Sequence, residues 1–192
     1  LSHPDPGIRA FWIEHGRRTR EIAARIGAEL GSACVNNIWV PDGYKDVPVD
    51  RMAARRRLEA SLDEMLADRQ DPAQMLDAVE SKLFGIGLEA MTVGNGEFYM
   101  GYAVTNQILI CLDSGHFHPT EEVADKISAV LPAVPGVLLH VSRGVRWDSD
   151  HVVIVNDELA ALARELVSGK ELDRVYVALA FFDASTNRVG DG

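Results

Sequence analysis

Apolar positions switch repeatedly between two periods along this chain. In "IRAFWIEHGRRTREIAARIGAEL", Ile22, Ile26 and Leu30 recur at i, i+4 and i+8, the spacing of one helix face. "ACVNNIWV" then reads as a strand and closes on Pro41-Asp42-Gly43, a turn signal. "DRMAARRRLEASLDEMLADR" returns to the helical period, and "MLDAVESKLFG" holds a short strand near Ala78–Lys82. "QILICLD" and "GVLLHVS" are apolar strands, and "RVYVALAFF" is the last. Between them lie two more helices, "PTEEVADKISAVL" and "DELAALARELVS". The first of these carries acids in its opening turn, where the helix dipole favours them. Strands alternating with helices imply a parallel sheet covered by helices. The strands are nearly continuous in apolar residues, as strands buried on both faces are.

Two α/β architectures fit this alternation, a doubly wound open sheet and a (β/α)8 barrel. No G-x-G-x-x-G and no P-loop is present, so the nucleotide-binding form of the open sheet has no support. A complete barrel takes about 250 residues, and this chain has 192 with about five strong strands. It is therefore expected to be one domain, residues 1–192, forming part of a barrel. It opens on "LSHPD" and stops at "VGDG", and is expected to be a piece of something longer.

Net charge is −10, from 19 basic and 29 acidic residues. An acidic balance argues against a nucleic-acid partner, which needs a basic footprint. The run "RMAARRRLE" has acids close by and reads as a solvated helix face. No apolar run is long enough to span a membrane and no signal peptide is visible, so a cytoplasmic location is expected. Cys34 and Cys111 each sit in an apolar, strand-like run and are read as buried, reduced thiols.

Polar residues collect where the strands end. The strand in "DAVESK" ends with Glu80 and Lys82, and "ILICLDSGHFH" with Asp113 and then His116. "VLLHVSR" carries His140, and "RWDSDH" follows with Asp148 and Asp150. In a barrel that edge is the active-site face, and in an open sheet it is the ligand crevice. In extended backbone Asp148 and Asp150 face the same way, and two such carboxylates repel unless a cation or proton lies between them. A solvated turn is the other reading of that segment. The set contains oxygen and imidazole nitrogen without thiolate, which suits Mn, Mg, Co or Zn. Six ligands fit a pair of ions, which polarise substrate oxygens. Lys82 either adds positive charge near a polarised carbonyl or balances Glu80 in a salt bridge.

The stretches "NIWVPDG", "VESKLFGIG", "EFYMGYA", "LDSGHFHPTE", "LLHVSR", "VRWDSDHVV" and "FFDAS" followed by "NR" closely resemble the L-rhamnose isomerase family, from Ser2 to about Val189. The resemblance implies a xylose-isomerase-like (β/α)8 barrel, usually a homotetramer, that interconverts L-rhamnose and L-rhamnulose with Mn2+ by a metal-assisted hydride shift. It implies that the N-terminal strands of the barrel and a C-terminal extension lie outside this chain. Residue by residue, it makes Glu80, Asp113 and His140 ligands of a structural ion. His116, Asp148 and Asp150 become ligands of a catalytic ion, with Asp113 bridging both. Lys82 falls near the substrate carbonyl, and Trp39 lines the sugar pocket. One departure stands out: Ala180 occupies the place of an aspartate that completes the structural metal site. Two further readings compete: a metal-dependent barrel hydrolase such as a phosphoesterase, and an inactive truncated fragment. The hydrolase should carry a basic phosphate-binding groove, which this acidic composition does not suggest.

Overall fold

A computed structural model describes residues 1–83, 87–118, 120–144 and 150–180. They fall into two compact units, Leu1–Ile110 and Cys111–Gly192.

The first unit opens with helix α1 (Pro6–Leu30), capped by Asp5, whose side chain accepts from the Gly7 N–H. Pro6 stands at the start of this helix, where its missing N–H costs nothing. Gly31 ends the helix in the left-handed region, at φ 67°, a conformation glycine adopts without steric cost. Strand β1 (Cys34–Trp39) pairs in parallel with β3 (Met75–Glu80), and α2 (Arg51–Leu66) lies between them in sequence. Helix α1 packs on both strands and against α2. Two short strands, β2 (Gly43–Tyr44) and β4 (Met91–Thr92), pair antiparallel. Helix α3 (Gly96–Asn106) contacts β3.

Helix α1 exists as its period predicts, but the face the period suggested is not the buried one. Ile22, Ile26 and Leu30 are exposed, while Ile13, Arg20, Ala23, Ala24 and Gly27 are buried. The buried side is lined with small residues because the helix approaches the sheet closely. A Cβ on Gly27 would lie 1.8 Å from the Gln74 carbonyl oxygen. Arg20, 2% exposed, crosses this layer to an ion pair with Asp77 at 3.0 Å. Strand β3 begins earlier than expected and stops at Glu80, leaving Lys82 beyond it. The reason is pairing: its register with β1 runs from Met75 opposite Cys34 to Glu80 opposite Trp39. Cys34 is half-buried rather than buried.

Strand β5 (Leu109–Asp113) begins at the end of the first unit's sequence and ends in the second, and β5, β6 (Val137–Val141) and β7 (Val175–Leu179) are neighbours in that order. Strands β6 and β7 pair in parallel. Helices α4 (Val123–Val130) and α5 (Asp157–Gly169) pack on each other. All five residues of β5 are buried, as its unbroken apolar run predicts. Parallel strands alternating with helices make this an α/β chain, consistent with part of a barrel-like fold. No helix among the described residues is long and apolar enough to cross a membrane.

Candidate metal centre

In the first unit, the candidate residues sit where β1 and β3 end together. Glu80 is the last residue of β3 and is 4% exposed. Asn37 of β1 donates from Nδ2 to Glu80 Oε2. Lys82 lies two residues past the strand. Its backbone N–H donates to the Gly94 carbonyl at 3.2 Å. Its ammonium stands 5.1 Å from the centroid of the Trp39 ring, within cation–π range. Trp39 itself is 44% exposed, so this pair stands at an accessible edge. Deeper in the unit, the Tyr99 hydroxyl is completely buried, and burial, with Asp42 and Glu80 nearby, pushes its ionisation far up. It stays neutral.

In the second unit, three more candidates converge at the end of β5. Asp113, 5% exposed, accepts at Oδ1 from the Gly115 N–H at 2.7 Å. Its Oδ2 lies 3.5 Å from His140 Nδ1 on β6. The turn after β5 brings His116 back: its N–H donates to the Asp113 carbonyl at 3.1 Å, and its side chain is buried. Ligand atoms of Asp113 and His116 come within 4.8 Å of each other. The turn is tied to β6 through Ser114, whose N–H donates to the His140 carbonyl and whose Oγ both donates to the Ser142 carbonyl and accepts from its N–H. Burial by itself would raise the Asp113 pKa. The His140 hydrogen bond, the His116 charge and the Gly115 N–H outweigh it and hold the carboxyl below its ordinary range. The result is a buried carboxylate that stays ionised beside His140 and His116, and oxygen and imidazole donors of this kind suit a divalent cation of the Mn or Zn type.

Cys111, a buried free thiol as its apolar run predicts, also approaches the candidate ligands. The Cys111 sulfur comes within 4.8 Å of a His140 ring nitrogen. Cys111 is two residues before Asp113, hence on the same face of β5, and that spacing was the available signal. Asp148 lies outside the described residues. Asp150 is exposed and belongs to no group of three ligand atoms among the described residues. Arg143 and His151 form an antiparallel bridge on either side of that segment. Ala180, just past β7, is half-buried and donates its N–H to the Val141 carbonyl. A cleft of about 530 Å³ opens nearby within this unit, lined by Ser114, Gly115, His118, Glu121, Asp157 and Arg164 among others.

Parallel α/β architecture with buried carboxylate and imidazole at the strand ends defines a class: an α/β protein with a centre fit to hold a divalent cation. Comparison with known proteins narrows it. The family model for L-rhamnose isomerase matches residues 1–191. The L-rhamnose isomerases of Cronobacter sakazakii and Shigella sonnei are each 59% identical to this chain over 189 residues, and that of Yersinia pseudotuberculosis is 58% identical. Each match covers 98% of this chain and 45% of the relative. The chain belongs to the L-rhamnose isomerase family, and it spans a little under half the length of these curated relatives.

Proposed function

We propose that the full-length protein carrying this chain interconverts L-rhamnose and L-rhamnulose, and that this chain supplies most of its metal ligands. The observation that carries the reading is Asp113, buried, ionised and flanked by His116 and His140, in a chain 59% identical to named L-rhamnose isomerases. Glu80, Asp113 and His140 are proposed to hold one cation, and His116, Asp148 and Asp150 the other, with Mn2+ as the ion. A bound pair of cations supplies polarisation of substrate oxygens, which favours transfer of hydrogen between C2 and C1. The residues of this chain orient the sugar: Trp39 offers an apolar wall, and Lys82 a positive charge directed by that ring. The residue roles follow the resemblance of the motifs, and the chemistry of the donors agrees with them. The surrounding architecture is proposed as a single xylose-isomerase-like (β/α)8 domain, completed by chain outside this sequence, in a cytoplasmic homotetramer. The family match favours this reading over a barrel phosphoesterase.

The test uses the full-length protein. Removing metal with a chelator should abolish isomerisation, and Mn2+ should restore it. Asp148→Asn and His116→Ala should each remove nearly all activity while circular dichroism stays unchanged. Near-normal turnover in both variants refutes the assignment. Deuterium at C2 should be retained in the product if hydrogen shifts directly, and exchange with solvent would show a proton route instead.

A further inference from the structure

We infer that Asn37 is a positioning residue for metal binding: it holds the Glu80 carboxylate in its ligating orientation from the neighbouring strand. This rests on the reading of Glu80 as a cation ligand. The parallel register sets Trp39 opposite Glu80 and Asn37 opposite Ala78, so Asn37 stands one pleat back from Glu80 on the adjacent strand. From there its Nδ2 donates to Glu80 Oε2. The assignment of the amide follows from chemistry. An ionised carboxylate only accepts, so the nitrogen must face it.

The neighbouring asparagine gives the contrast. Asn36 points to the other face of β1, where its Nδ2 donates to Asp77 Oδ1 at 3.0 Å. The charge of Asp77 is met by Arg20 at 3.0 Å, so that carboxylate is used up in structure. Asn37 is a neutral donor to Glu80, so this contact orients the carboxylate without itself cancelling its charge. An arginine or lysine in that place would compete with the ion. The arrangement also leaves a polar atom unmatched: Asn37 Oδ1 is fully buried and has no hydrogen-bond partner among the described residues. Buried polar atoms are rarely left so. A side chain kept only for packing at this position would be better apolar. Partners that orient a metal ligand govern affinity by 10- to 100-fold, as a rough range.

The experiment is Mn2+ titration of the metal-stripped full-length protein by calorimetry, with the electron paramagnetic resonance of bound Mn2+ read in parallel. It compares the unaltered protein with Asn37→Leu, Asn37→Ala, Asn37→Gln and Glu80→Gln. Leu keeps the bulk of the side chain and Ala does not, so a folding failure in one leaves the other to be read. Both should weaken one of the two Mn2+ sites by roughly 10- to 100-fold and change its resonance signal. Asn37→Gln, which keeps the amide, should recover part of the loss. If Glu80→Gln loses an ion while Leu or Ala binds both ions as the unaltered protein does, the role of Asn37 is overturned and the metal reading stands. If Glu80→Gln also binds both ions normally, Glu80 is not a ligand and both fall.

Discussion

Arg20→Ala should be among the most damaging single changes available in the first unit. The guanidinium is 2% exposed. Its Nε lies 3.1 Å from each Asp77 carboxylate oxygen, and its Nη2 lies 3.0 Å from Oδ2. The same group donates to the carbonyls of Met65 at 2.9 Å and Asp68 at 2.8 Å, at the C-terminal end of α2. It therefore ties together three elements, α1, α2 and β3. Truncation leaves Asp77, whose side chain is 8% exposed, as a buried carboxylate with the Asn36 amide still donating to it. Removing one partner of a buried pair costs about 3–5 kcal/mol, mostly the penalty of the stranded charge. Replacing both partners with apolar residues avoids that penalty, so Arg20→Met with Asp77→Leu should cost much less than Arg20→Ala. The assay is urea unfolding of the full-length protein followed by circular dichroism, with hydrogen exchange at the β1 and β3 amides. A loss under about 1 kcal/mol, the range of an exposed ion pair, would refute the argument. So would a double variant no more stable than the single one.

Three further outcomes are expected. Gly27→Ala should destabilise by about 1–3 kcal/mol through overpacking, because the new methyl meets the Gln74 carbonyl at 1.8 Å. Alanine normally improves a helix interior, so a rise in melting temperature would show that the α1–sheet contact is looser than described. Asp113 ionises lower in the folded chain than unfolded, so its contribution is fully present above the unfolded value and is lost as pH falls through the folded one. His140→Gln should move the Asp113 titration, followed by carboxyl carbon NMR on metal-free protein, to higher pH; an unmoved titration counts against the contact. Ala180→Asp should tighten binding of a second Mn2+ and raise kcat, read by calorimetry and isomerase assay. If the Ala180 protein already binds two ions tightly, another group replaces the missing carboxylate.

The periodicity of the sequence was enough to place α1, α2, α4 and α5 and the strands β1, β5, β6 and β7, because each is a run that keeps one pattern, helical period or near-continuous apolar strand. It also brought out Glu80, Asp113, His116 and His140, since charged or titratable groups interrupt apolar strands only at a cost. The motifs in those same stretches were specific enough to point to the family. Other features depended on contacts between segments distant in sequence. Helix α3 buries Tyr99, Tyr102 and Ala103 without an amphipathic period to announce it. The buried face of α1 was decided by how closely the helix meets β3, which favours Ala23, Ala24 and Gly27 over the larger Ile22 and Ile26. Burial of Arg20 required Asp77, 57 residues away. Asn37 meets Glu80 only through the β1–β3 register, which sets its amide against that carboxylate. Cys111 joined His140 because β5 and β6 are neighbours. Local pattern reports what each segment would bury. Which neighbour it buries against, and which polar groups then meet, is set by pairing and packing between segments, and no single stretch of sequence carries that information.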